Sequence, residues 1–167
     1  QIIRDAQKHN VEVRPLCINN SLWDNTIEPD INNNLTLRIG FRQINGLSKG
    51  IVDRIVSKRE NGFTSVYDVW YRVDLSYETL SKLIKSDCFS SLGLRRTDAL
   101  WEAKTLRSRE KMPLFQNISE DINTNQQQVQ LPKITMGSEL IKDYSTLNFS
   151  LRSHPMALLR QILNKKY

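Results

Sequence analysis

The chain has 167 residues, of which 39% are hydrophobic and 25% charged, and its formal net charge is +6. This length allows one core of moderate size or two small ones, and the composition excludes a wholly disordered chain. Its apolar runs are far shorter than the roughly 20 residues that cross a bilayer, so we predict a cytoplasmic protein without membrane attachment. The two cysteines, Cys17 and Cys88, have no Cys or His at ligand spacing, which argues against structural zinc.

The first 41 residues combine a short helix with β-strands. A helical pattern runs from Gln1 to His9, and two stretches of period-two alternation follow, at 11–19 and 35–41. Pro15 should confine the first strand to an edge or a bend. In the second stretch Leu35, Leu37, Ile39 and Phe41 alternate with Thr36, Arg38 and Gly40. We predict that the two strands pair in a small sheet.

Residues 42–110 have a helical pattern throughout, and it begins with a loop between two glycines. The loop is Gly46-Leu47-Ser48-Lys49-Gly50, and the helix after it places Ile51, Val52, Ile55 and Val56 on one face. A second loop, Asp74-Leu75-Ser76, repeats this scheme before a helix with Leu80 and Ile84. Ser65 and Ser76 have the positions of N-caps. We therefore predict a mainly α fold, built on a tandem helix-hairpin-helix module, with a small β element near the N-terminus.

The last third of the chain divides into two parts. Residues 111–137 are rich in Asn and Gln and poor in apolar side chains, as expected of a flexible linker. Residues 138–167 return to helical periodicity, with Pro155 at the start of the final helix. We predict that Leu140, Ile141, Tyr144 and Leu147 share a face of the first helix in this segment, and that the second helix buries Met156, Leu159, Ile162 and Leu163.

The glycine loop has the composition of an anion-binding site. Small residues before a helix let successive backbone N–H groups point outward, where they suit a phosphate oxygen. Gly46 and Gly50 would supply positive φ and close approach, while Ser48 and Lys49 would add a hydroxyl and a cation. Such contacts read no bases, so binding would be independent of sequence and weaken with salt. The alternative is that the segment is only a helix cap and a turn.

Several motifs resemble the bacterial C-family DNA polymerases. In order, they are LRIGFRQINGL, FTSVYDVW, FSSLGLRRTDALWEAKTL, MPLF and DYSTLNFSLRSHPMALLR. GFRQINGL and SLRSHP are more similar to the error-prone, damage-response branch than to the replicative polymerase III alpha subunit. The resemblance implies that residues 1–41 end the fingers, that 42–110 grip duplex DNA behind the active site, and that 138–167 lead toward an OB-fold outside this chain.

The resemblance also implies where catalysis takes place. The family's catalytic aspartates lie upstream in the palm, and no residue here matches them, so we expect no catalytic residue and no metal ligand in this chain. Mg²⁺ would serve the parent polymerase. The acidic residues Asp68, Asp74, Asp87 and Asp98 are interpreted as caps or solvated charges. His9 and His154, which have no second ligand at metal spacing, are assigned structural roles.

The predicted DNA contacts extend beyond the first loop. Ser76 marks the second hairpin, whose grip is in doubt because it lacks the glycines, and Arg95 and Arg96 begin the last helix of the module. These two arginines could contact phosphate or form a solvated face. The predicted DNA-binding set is Gly46, Leu47, Ser48, Lys49, Gly50, Ser76, Arg95 and Arg96.

The sequence around the MPLF motif resembles the short peptides that dock on the bacterial sliding clamp. The docking residues would be Met112, Leu114 and Phe115, but the usual upstream glutamine is absent. The alternative is a segment that packs on its own domain.

Two functions remain open. The chain is either a duplex DNA-binding part of a polymerase engaged in translesion synthesis, or a scaffold that links polymerase domains or other translesion-synthesis subunits. Salt-dependent binding of duplex DNA, with Lys49→Glu as control, would separate the two.

Overall fold

The computed structural model describes residues 2–110 and 135–164 and contains seven α-helices and three strands within them. The elements are α1 (Ile2–Lys8), β1 (Val13–Arg14), β2 (Thr26–Pro29), β3 (Leu35–Arg38), α2 (Lys49–Ser57), α3 (Val66–Val73), α4 (Tyr77–Lys85), α5 (Arg96–Glu110), α6 (Met136–Leu147) and α7 (Pro155–Leu163). Short 3-10 turns at Phe41–Gln43 and Ser90–Leu92 precede α2 and α5. The predicted fold class is confirmed: a mainly helical chain with a small N-terminal sheet and further helices at the C-terminal end.

The sheet has the strand order β1-β3-β2, with β1 parallel to β3 and β2 antiparallel to it. The predicted pairing of the first and last strands is confirmed, and β1 lies at an edge as Pro15 indicated. Strand β2 was not predicted, because its four residues carry a proline and a glutamate and show no long alternation. Its hairpin partner β3 places Leu37 opposite Ile27.

Burial within β3 does not follow the apolar alternation, although Ile39 and Phe41 directly after the strand are buried. Thr36 and Arg38 are buried, whereas Leu35 is 68% exposed. The inner face is polar because the Arg38 guanidinium nitrogen Nε lies 2.7 Å from Oε1 of Glu28 on β2, and Nη1 donates to the carbonyl of Pro15. A buried guanidinium with a carboxylate and a carbonyl as partners can occupy the face that the apolar alternation assigned to leucine.

The helical units pack around one hydrophobic core. It includes Val52 and Ile55 of α2, Val66, Val69 and Val73 of α3, Leu80, Leu83 and Ile84 of α4, and Ala103 and Leu106 of α5. The predicted N-caps are confirmed in α3 and α4, where the Ser65 and Ser76 side chains accept hydrogen bonds from the amides of Asp68 and Thr79. The helices that follow the two loops, α2 and α4, thus pack in the same core.

The C-terminal helices depart from their predicted burial. In α6, Leu140 is buried but Ile141 is 71% exposed, and the buried position on the same side is Asp143. The apolar side chains Met156, Leu159 and Leu163 of α7 remain about half exposed, so the expected burial of this helix is wrong within the described residues. The reason in α6 is an ion pair between Asp143 and a buried arginine, which sequence periodicity does not reveal.

Candidate nucleic-acid interface

The first hairpin joins the turn at Phe41–Gln43 to helix α2. Gly46 has a φ of +70°, and an added Cβ there would lie 3.2 Å from Nζ of Lys82, so the predicted need for glycine is confirmed at this residue. Gly50 was predicted to have positive φ as well, and this is wrong because it lies in the first turn of α2. Its Cβ position faces open space, which leaves the backbone open to approach. Leu47, only 7% exposed, anchors the loop in the core and presents no side chain to a ligand.

The N-terminus of α2 is uncapped. Ser48 occupies the N-cap position, but its side chain accepts no hydrogen bond, and the first turn contains no acidic residue. No residue in the ranges 2–110 and 135–164 accepts a hydrogen bond from the amides of Lys49, Gly50 or Ile51. These N–H groups carry the positive end of the helix dipole and point away from the helix body.

Two lysines flank this N-terminus. Lys49 is the first residue of α2 and is exposed, and Lys82 of α4 donates from Nζ to the carbonyl of Gly46 at 3.0 Å. Neither forms an ion pair with a carboxylate in the part of the chain that the structure describes. Sequence reasoning missed Lys82, because its place beside Gly46 depends on how α4 packs against the first hairpin. In the sequence, the only signal for Lys82 was its position on the polar side of α4.

The second hairpin resembles the first in backbone but has different chemistry. Asp74 has a φ of +54° and Leu75 is 3% exposed, as at the corresponding positions of the first hairpin. Ser76 Oγ accepts from the amide of Thr79 at 3.3 Å, and Glu78 places a carboxylate in the first turn of α4. The serine predicted as a DNA contact therefore already caps its own helix, and the glutamate opposes an anion there.

The two arginines at the start of α5 have separate roles. Arg95 is exposed and bonds Asp98 through two nitrogens, at 2.7 and 2.9 Å. The Arg96 side chain is only 1% exposed and lies 2.6 Å from Asp143 and 2.8 Å from Glu139. As placed, Arg96 cannot reach a phosphate outside the protein, and we remove it from the expected DNA contacts.

Asp87 belongs to the same ionic group as Arg96. Its side chain forms an ion pair with Arg152, and the Arg96 Nη2 nitrogen lies 3.7 Å from Oδ2 of Asp87. Burial raises the pKa of the Asp87 carboxyl, although the two arginines beside it act in the opposite direction. The prediction that Asp87 is a cap or a solvated charge is wrong, because this aspartate forms part of a largely buried ionic cluster.

Other predicted features fall outside this interface. Met112, Leu114 and Phe115, the predicted clamp-docking residues, lie outside the described residues, as does most of the predicted linker.

No group of three or more His, Cys, Asp or Glu among the described residues could hold a metal ion. His154 caps α7 by accepting from the amide of Met156 at 3.1 Å. None of the described helices is long and apolar enough to span a membrane.

Error-prone DNA polymerases of several bacteria are similar to this chain. The chain is similar to the error-prone DNA polymerase of Ruegeria pomeroyi, with 39% identity over 96% of the chain. It is 44% identical over 98% of its length to error-prone DNA polymerase 3 of Agrobacterium fabrum, and 33% identical over 99% to error-prone DNA polymerase 1 of Rhizobium meliloti. The resemblance to the error-prone branch is therefore confirmed.

The chain spans only 14% to 17% of the length of these relatives. A family model described as the helix-hairpin-helix motif matches residues 10–99, more than half of the 167 residues. The matched range contains both hairpins and the helices that they join. This protein chain belongs to the helix-hairpin-helix family.

Proposed function

We propose that the chain grips duplex DNA through the first hairpin. The observation that carries the proposal is the uncapped N-terminus of α2, where the amides of Lys49, Gly50 and Ile51 have no acceptor among the described residues. A phosphate oxygen can accept from these amides, and it would meet no carboxylate in that first turn.

The cations beside the amides suit the same ligand. Lys49 lies in the turn that presents the amides, and Lys82 approaches the hairpin from α4. Both would face a phosphate as point charges that have no carboxylate partner among the described residues, which gives attraction without base recognition. Binding would therefore be independent of sequence and would weaken as salt concentration rises.

The relatives' names support a role for this grip in a larger reaction. We propose that the chain is part of an error-prone DNA polymerase that acts in translesion synthesis in the bacterial cytoplasm. Catalysis, with Mg²⁺, would belong to regions of the parent protein outside this chain. The residues described here would hold the duplex for that reaction, and an isolated chain should bind DNA weakly because the parent spreads its contacts over several domains.

The test is a fluorescence-anisotropy titration of a labelled duplex at several salt concentrations. We expect Lys49→Glu to weaken binding about tenfold at low salt and to lower the slope of log K against log salt by about one. Lys58→Glu is the matched control, since Lys58 is an exposed lysine at the opposite end of the same helix. No binding by the wild-type chain, or equal effects of the two variants, would overturn the proposal.

A second function is favoured by exposed aromatic side chains. Tyr71 on α3 is 69% exposed and stacks on Tyr67, with ring centroids 5.8 Å apart, and Trp101 on α5 is 50% exposed. Aromatic side chains are enriched in protein interfaces, so the exposed Tyr71 would join polymerase domains or translesion-synthesis subunits. If Tyr71→Ala leaves DNA affinity unchanged but abolishes association with a purified parent domain, the scaffold function stands beside DNA binding.

Docking on the sliding clamp stays a proposal based on the MPLF motif. A purified clamp and the full chain should associate, and Leu114→Ala with Phe115→Ala should abolish that association. Equal association by the variant and the wild-type chain would exclude the motif as the docking peptide.

A further inference from the structure

The residue before the first hairpin is held by the end of a helix far away in sequence. Asn45 donates its backbone N–H to the carbonyl of Thr146 at 3.0 Å, and its Oδ1 accepts from Nδ2 of Asn148 at 3.1 Å. Asn148 has a φ of +63° and ends α6, with its own N–H bonded to the carbonyl of Tyr144. Two hydrogen bonds thus join the C-terminal end of α6 to the chain directly before Gly46.

Helix α6 is in turn fixed to the module at several points. Its Glu139 and Asp143 form ion pairs with the buried Arg96 of α5, and Leu140 is 3% exposed against the core. Beyond α6, Ser150 donates to Oδ2 of Asp143 at 2.7 Å. A largely buried ionic cluster with these additional bonds has few alternative arrangements, so the helix is a rigid support.

A rigid support matters most beside a flexible residue. Gly46 can take many backbone conformations, and only some of them direct the amides of α2 and the Lys82 contact as the structure shows. Restraining the preceding residue reduces the number of conformations that binding must remove, which raises affinity without a new contact to the ligand.

We propose that α6 is a positioning element of the DNA grip, acting through Asn148 and Asn45. This rests on the proposed function of the first hairpin. Neither asparagine needs to touch DNA, because their effect is to hold the approach to Gly46 in one conformation. The region after residue 134, which the sequence assigned only to a passage toward another domain, would then contribute directly to duplex affinity.

The test uses the full chain with Asn148→Gly, which keeps a residue that accepts positive φ but removes the Nδ2 donor. We expect duplex affinity to fall about threefold, the worth of one hydrogen bond, with an unchanged slope of log K against log salt because no phosphate contact is lost. Hydrogen exchange of the Asn45 amide, which donates to the carbonyl of Thr146, should become faster. Asn33→Gly is the matched control, since Asn33 is an exposed asparagine with φ +63° in the β2–β3 turn.

A second variant tests whether weaker binding results from the lost hydrogen bond or only from loss of folding. Asn45→Ala removes the acceptor from the other side, should weaken binding to the same extent, and should add nothing to Asn148→Gly in the double variant. Wild-type affinity of Asn148→Gly, with Lys49→Glu still impaired, would overturn the positioning role and leave the proposed function standing.

Discussion

The two hairpins of the module share a backbone plan but differ in what they expose. Gly46 and Asp74 both have positive φ, and the leucine after each is buried in the common core. The Ser48 side chain accepts no hydrogen bond from the α2 amides, whereas Ser76 bonds its own helix and Glu78 adds a negative charge. The hairpin fold therefore requires only a left-handed residue and an apolar anchor, while anion binding requires an open cap and the absence of a carboxylate.

The largest expected effect is a loss of stability, and it should be the same at both hairpins. Leu47→Ala and Leu75→Ala each remove a side chain that is no more than 7% exposed, and each should lower the free energy of unfolding by about 2 to 4 kcal/mol. Urea denaturation followed by circular dichroism measures this. If only one of the two variants lost stability, the two leucines would not be equivalent anchors.

The next effect should appear only in DNA binding. Gly50→Glu gives the first hairpin the acidic residue of the second, at a position where the new Cβ meets no atom within 4 Å. The carboxylate would compete with phosphate for the α2 amides, so we expect about tenfold weaker duplex binding at low salt. Ser57→Glu at the other end of α2 is the control, and equal losses in both would assign the effect to net charge alone.

A smaller effect should distinguish the two serines in stability. Ser76→Ala removes an N-cap hydrogen bond and should cost about 1 kcal/mol, whereas Ser48→Ala should cost no more than a few tenths, because that side chain caps nothing. Thermal and urea unfolding of both variants provide the measurement. Equal costs would show that Ser48 caps α2 in solution.

The smallest effect should come from the left-handed residue of the second hairpin. Asp74→Gly removes the Cβ from a residue with φ +54°, where a Cβ is sterically unfavourable. This change should raise the free energy of unfolding by about 0.5 kcal/mol. The gain should come without a change in duplex affinity. A loss of stability would mean that the Asp74 side chain supports the turn.

The sequence predicted those features that depend on neighbours along the chain. Gly46, the N-caps Ser65 and Ser76, and the apolar face of α2 each carry their signal within a few residues. Gly50 shows the limit of this approach, because spacing alone did not distinguish a turn glycine from one inside a helix.

The features that the sequence did not reveal depend on contacts between distant segments. Arg96 reads as a surface arginine until α6 brings Glu139 and Asp143 against it, 43 and 47 residues away. The polar inner face of β3 likewise depends on Glu28 from a strand too short to predict. Lys82 beside Gly46 belongs to the same class, since two helices must pack before the contact exists.

The exposed apolar side chains of the sheet also affect how the chain behaves at high concentration. Because Arg38 takes the inner face, Ile27 and Leu35 are left 69% and 68% exposed on the outer one, and Ile31 in the adjoining turn is fully exposed. Pro29, the last residue of β2, has no N–H to offer a further strand, which limits growth of the sheet at that edge. Contact between these apolar side chains would join folded chains, so we expect a concentrated sample to become turbid without loss of its helical circular dichroism.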